Sequence, residues 1–171
     1  LVPNKTTEKE LRYALESKMN ELGASGPSFD TIIASGVRSS LPHGVASDKV
    51  IEIGDFVTID FGCVYKGYCS DMTRTIVMGK ATDKQKEIYN IVLEAQLKVI
   101  EEAKANMSGI ELDNIARQYI IDKGYGDKFG HGLGHGIGLD VHELPNVNVL
   151  GKNILKPNMV ISDEPGIYIE D

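Results

Sequence analysis

The sequence predicts an α+β domain, and three observations carry that prediction. Three segments open on a Ser or Thr followed three residues later by Glu or Gln, the pattern of a capping box. Each leads into apolar residues at helical spacing. Between and beyond them lie four runs rich in β-branched and aromatic residues, bounded by Gly, Ser and Pro. Helices segregated from antiparallel strands make the α+β class. At 171 residues the chain can bury a sizeable core, and no Pro/Gly/Ser-rich linker interrupts it, so residues 1–171 read as one domain.

The first helix begins at Thr7 with Glu10, sets Leu11, Leu15, Met19 and Leu22 on one face, and stops at Gly23. The second begins at Thr82 with Gln85 and carries Ile88, Val92, Ala95 and Val99. The third begins at Ser108 with Glu111, continues through Leu112, Ile115, Ala116 and Tyr119, and closes at Gly124. All three stripes are predicted to face a core. Strands are predicted over residues 31–34, 56–61, 68–78 and 159–169, with a Ser/Gly/Pro-punctuated loop over 37–47.

Bulk properties narrow the function. A net charge of −7 argues against a nucleic-acid binder, which needs a basic face. No apolar run approaches the ~20 residues that span a bilayer, so no membrane partner is expected. The opening "LVPNKTTEKE" has no apolar signal region and no initiator methionine, and reads as part of a longer or processed chain. Cys63 and Cys69 fall on opposite faces of a predicted hairpin, so both are expected as free thiols of a cytoplasmic protein.

That hairpin, "FVTIDFGCVYKGYCSDMTRTIV", poses the chemical question. Folded about Tyr65 and Lys66, it sets Asp60 opposite Asp71, and like charges directly opposed are destabilising. Two adjacent carboxylates share either a proton or a cation. Further ligands are available in "FGHGLGHGIGLDVHELP", which holds His131, His135 and His142. Four alternating glycines there, at about 1 kcal/mol each, make a helix costly and predict an irregular or extended stretch that lets the backbone approach something closely. The glycines lack the Lys-Ser/Thr ending of a phosphate loop, and His142-Glu143 is followed by Leu144-Pro145 rather than completing a HExxH helix. His43 sits in a loop after Pro42. Glu164, in "NMVISDEPGIYIED", is predicted half-buried at a strand end, where strand alternation should turn either it or Asp163 outward. Two Asp, one or more His and a Glu form an oxygen-rich set that suits a pair of Mn²⁺, Co²⁺, Fe²⁺ or Zn²⁺ ions better than a structural zinc. Two such ions about 3.5–4 Å apart can hold a bridging hydroxide and polarise a carbonyl, which is metal-assisted hydrolysis.

With those residues assembled, the chain resembles the Xaa-Pro peptidases, aminopeptidase P and prolidase, of the pita-bread metallopeptidase family M24. The resemblance runs from about Thr7 to the end and rests on "SFDTIIASG", "PHG", "GDFVTIDFG", "SDMTRT", "GHGLGHGIGLDVHELP" and "EPGIYIED", in that order. It implies a pita-bread (creatinase/aminopeptidase-like) fold, a curved antiparallel sheet with helices on one face. It implies two divalent metal ions held by Asp60, Asp71, His135 and Glu164, with Glu164 also moving the proton. His43, His131 and His142 match the histidines that line the substrate site. The implied reaction is hydrolysis of the Xaa-Pro bond at a peptide N-terminus or in a dipeptide, by a full-length homodimer. Methionine aminopeptidase or creatinase specificity, or a non-catalytic peptide-binding module, are the alternatives. The family's last ligand block, Gly-x-Arg-x-Glu-Asp, and its N-terminal domain lie outside these 171 residues. The chain therefore reads as a truncated catalytic domain lacking its last strands, expected to be weakly active or inactive by itself.

Overall fold

The computed structural model describes residues 1–170. It resolves into two compact units, one of residues 1–85 joined by the chain end from Tyr168, the other of residues 86–167. Among the described residues no helix is long and apolar enough to cross a membrane.

The first unit begins with helix α1, Glu8–Glu21. Its capping box forms as predicted: the Glu10 N–H donates to Thr7 Oγ1 at 3.2 Å, and the Thr7 N–H donates to Glu10 Oε2 at 2.7 Å. The apolar stripe fares less well, since Leu22 is 72% exposed while the one fully buried side chain of α1 is Glu8. Strands β1 (Gly26–Pro27), β2 (Ile32–Ser35), β3 (Phe56–Phe61), β4 (Cys63–Tyr65), β5 (Tyr68–Cys69) and β6 (Met72–Val77) follow. They form two antiparallel three-stranded sheets, ordered β2-β3-β6 and β1-β4-β5. Ile33, Ala46, Ile51 and Val57 fill the core of this unit, with Leu11 of α1 packed on it.

The hairpin register differs from the expectation by two residues. The turn centres on Lys66 and Gly67, both at positive φ (+51° and +86°), as a two-residue type I′ turn requires. Asp60 is therefore opposite Thr73, not Asp71. The predicted strand 68–78 is also broken, because the ladder stops at Ser70 and Asp71 between β5 and β6. Gly62 sits at that break, where a Cβ would lie 1.9 Å from the Ser70 carbonyl oxygen, so only glycine lets the ribbon pass.

The second unit contains nearly all of helix α2 (Asp83–Glu102), then α3 (Gly109–Asp122), β7 (Gly134–Gly136) and β8 (Glu143–Val147). Both predicted boxes form, at Thr82/Gln85 and Ser108/Glu111. Ile91, Ala95 and Val99 of α2 pack with Leu112, Ala116 and Ile120 of α3, and with Phe129, Leu133 and Val147. β7 and β8 pair antiparallel. Residues 159–169, predicted as a strand, form no regular ladder. They run extended beside the glycine-rich segment instead, linked by Ile137 N–H to Val160 O (3.2 Å), Ser162 N–H to His135 O (2.8 Å) and Glu164 N–H to Leu133 O (2.9 Å).

Candidate metal centre

The two carboxylates of the first unit come from a strand and from the break in its neighbour. Asp60 lies in β3, paired with Ile32 on one side and Thr73 on the other. Asp71 precedes β6 by one residue, in the break of the ladder and two positions from the residue facing Asp60. In a regular ladder the diagonal neighbour of a residue has its Cα roughly 7–8 Å away, so the two aspartates are not directly opposed. Both residues are half-buried. His43 is exposed in the turn that follows the 3₁₀ segment Gly36–Ser40.

The second unit gathers the other predicted residues. Gly134 and Gly136 permit the close approach that the sequence suggested. A Cβ on Gly134 would meet the Ser162 carbonyl oxygen at 2.2 Å, and one on Gly136 would meet the Leu144 carbonyl oxygen at 2.3 Å. This places His135 Nε2 3.2 Å from Glu164 Oε1. The His142 ring packs edge-on against His135 with centroids 4.4 Å apart, although His142 is exposed. His131 packs edge-on against Phe129 at 5.2 Å, and its Nδ1 lies 2.7 Å from Gly132 O.

The hydrogen bonds of His135 test whether a metal fits. Nδ1 faces Gly136 O at 2.9 Å while Nε2 faces the Glu164 carboxylate. A neutral imidazole carries one N–H, so two facing acceptors demand a second positive centre, either a second proton or a cation at Nε2. A backbone carbonyl holding the other ring nitrogen is the usual support of a ligating histidine. Glu164 is ready to ligate as well. Burial works to raise its pKa, but hydrogen bonds with His135 and Ser162 and the charges of His135 and His131 outweigh it, holding the carboxyl below its ordinary range. The donor set fits.

Asp163 departs from the alternation expected of a strand. Both of its carboxylate oxygens are buried, without a hydrogen-bond partner among the described residues. Burial, then the neighbouring charge of Glu164, pushes this group up to about 7.

Three further residues shape the site, and the sequence reading missed them. The Ser162 hydroxyl accepts the His135 N–H at 3.0 Å and donates to Glu164 Oε1 at 2.8 Å, so one side chain orients both predicted ligands. Asp113 and Arg117 on α3 hold the backbone of the glycine-rich segment. For the latter pair a signal existed: opposite charges four residues apart beside an apolar stripe. Ser162 gave none.

The sequence profile of metallopeptidase family M24 matches residues 1–171. The chain belongs to metallopeptidase family M24. It is 57% identical over 162 residues to a Xaa-Pro dipeptidase of Pyrococcus horikoshii, covering 95% of this chain and 46% of that protein. Among solved structures, a Xaa-Pro dipeptidase from Bacillus anthracis superposes with a TM-score of 0.97 at 56% identity, over 99% of this chain and 48% of that one. An X-Pro aminopeptidase from Thermotoga maritima superposes with a TM-score of 0.96 at 51% identity, again over 99% and 48%. The M24 chain thus spans about half the length of the relatives it matches, and it has the pita-bread fold of that family.

Proposed function

We propose that this M24 chain serves a peptidase that hydrolyses the bond between an N-terminal residue and proline. The observation that carries the reading is the His135–Glu164 contact, with Gly136 O behind the other ring nitrogen, in a chain 57% identical to a Xaa-Pro dipeptidase. Asp60, Asp71, His135 and Glu164 are the proposed ligands of two divalent ions, as the family resemblance implies. Oxygen donors outnumber nitrogen in that set, which favours Mn²⁺ over Zn²⁺. When bound, such ions polarise the scissile carbonyl and lower the pKa of water.

The side chains do the rest. The Gly136 carbonyl holds His135 Nδ1 and so fixes the direction of Nε2. Glu164, kept ionised by its partners, takes the proton of the attacking water and delivers it to the departing proline nitrogen. His43, His131 and His142 orient the peptide. We further propose a cytoplasmic homodimer without nucleic-acid or membrane partners. Cys63 and Cys69, which form no disulfide among the described residues, and the net charge of −7 support the compartment and the absence of nucleic acid.

The test is turnover by the full-length protein with Mn²⁺, on Ala-Pro, Ala-Ala and a longer Ala-Pro peptide. Proline-dependent cleavage that Glu164→Gln lowers about a thousandfold is expected, a loss comparable to other catalytic proton-transfer and electrostatic groups. Equal cleavage of Ala-Ala overturns the substrate class. The two proline substrates separate dipeptidase from aminopeptidase behaviour.

A further inference from the structure

The Asp113–Arg117 ion pair of α3 takes no part in the proposed ligand set, yet every one of its bonds that leaves the helix ends on the histidine loop. Arg117 Nε and Nη2 donate to the two Asp113 oxygens at 2.6 and 2.9 Å. Arg117 Nη1 donates to Phe129 O at 3.0 Å, and Nη2 donates to His131 O at 2.7 Å. Asp113 Oδ1 accepts the Leu133 N–H at 2.9 Å. The guanidinium also stacks 4.3 Å from the centroid of the Phe129 ring. Three alternate residues of one loop are thereby tied to one rigid helical turn, and the Asp113 side chain is 2% exposed.

Stability alone is a poor reason for this arrangement, because a buried ion pair can often be replaced by apolar side chains without loss of stability. The loop's composition supplies a better one. Gly130, Gly132 and Gly134 alternate with His131, Leu133 and His135, and glycine leaves a backbone freer than any other residue. Without outside ties such a segment samples many conformations, and only a few of them direct two imidazoles usefully. We propose that Asp113 and Arg117 are positioning residues: their ion pair clamps the glycine-rich loop and thereby sets the directions of His131 and His135. The proposal rests on the reading that those histidines serve the metal-dependent reaction.

The test uses the full-length protein and two variants, Asp113→Leu/Arg117→Met and Arg117→Lys. The double variant removes the clamp while leaving no buried charge alone. Arg117→Lys keeps the charge and the tie through Asp113 but loses the fork. Kinetics are normalised to the folded fraction measured by circular dichroism, with Mn²⁺ present. A fall in kcat of about tenfold or more is expected in both, with KM changed by less than about threefold, the scale on which supporting residues of a metal site act. Amide exchange at Leu133 in the double variant should quicken about tenfold relative to Leu112 within α3, and the imidazole ¹⁵N shifts of His131 and His135 should move. Unchanged kcat per folded molecule in Arg117→Lys overturns the proposal, as does unchanged Leu133 exchange in a folded double variant. Should the double variant fail to fold, the Arg117→Lys kinetics decide. Should the wild type show no Xaa-Pro turnover, the functional reading falls, and the exchange and ¹⁵N data decide the clamp independently.

Discussion

Replacing Ser162 with alanine removes one oxygen and severs its two shortest contacts. The lost hydroxyl no longer donates to Glu164 Oε1 (2.8 Å), and the His135 N–H loses its acceptor (3.0 Å). A hydrogen bond to an ionised group contributes about 1.5–3 kcal/mol, and leaving a backbone N–H without an acceptor costs a comparable amount if water cannot replace it. Taking about 2 kcal/mol as the part felt in the metal-bound state, binding should weaken about thirtyfold, since 1.4 kcal/mol is tenfold. That lies inside the roughly 10–100-fold range typical when the support of a metal ligand is lost. The assay is calorimetric titration of Mn²⁺ into the metal-free full-length protein. Ser162→Thr, which keeps the hydroxyl, should bind within about threefold of wild type. If Ser162→Ala binds Mn²⁺ as tightly as wild type while its fold is intact, His135 and Glu164 are not ligands held by Ser162, and the reasoning fails.

Other perturbations probe the frame around the site. Glu8→Ala leaves Arg38 and the donors of Ser35 and Ser47 facing a void, and should cost about 3–5 kcal/mol in a thermal or urea melt. Burial works to raise the Glu8 pKa, but hydrogen bonds from Ser47 and Ser35 together outweigh it and hold the carboxyl below its ordinary value. Its contribution is therefore full above the unfolded carboxylate pKa of about 4.3 and lost as pH falls through the lower folded value, so Glu8→Gln should flatten acid unfolding over that window. Gly134→Ala drives a Cβ to 2.2 Å from the Ser162 carbonyl, and should cost about 1–3 kcal/mol of stability and loosen Ser162 exchange protection. Chelating the metal from the full-length protein should lower its stability by about 2.7 kcal/mol from a state holding Mn²⁺ at a hundredfold excess over Kd, and Mn²⁺ should restore it.

The readable and the hidden parts of this chain divide by distance along the sequence. The three capping boxes were legible because each closes within three residues, and strand 56–61 was legible because its apolar run is bounded by Gly54 and Gly62. The hairpin register was misread because Lys66 takes the left-handed conformation usually left to Asn, Asp or Gly, which masks a type I′ turn. The slip sets Thr73, not Asp71, opposite Asp60, so the two aspartates are not opposed. Asp163 was expected to alternate with Glu164, but alternation governs regular strands, and residues 159–169 are fixed by spaced bonds to the loop instead. Ser162 reaches His135 across 27 residues, and Asp113 reaches Leu133 across 20. No local pattern announces such contacts.

The Asp113–Arg117 pair is an instance of a physical device that recurs in both units. In the first, Glu8 is fully buried and accepts Ser35 N–H at 2.8 Å and Ser47 N–H at 3.0 Å, while Arg38 bonds Glu8 at 3.1 Å and Val45 O at 2.6 Å. Those contacts bracket His43. In the second, Asp113 and Arg117 bracket His131 in the same way. A carboxylate can accept several backbone N–H groups at once and an arginine can donate to several carbonyls, so one ion pair satisfies both polarities of an irregular loop. Regular secondary structure would satisfy those groups too, but it would impose its own period on the side chains. An acid–arginine pair fixes a loop in an irregular shape without imposing the period of a helix or strand, which is what a segment must have if its histidines are to meet a substrate rather than pack in a core.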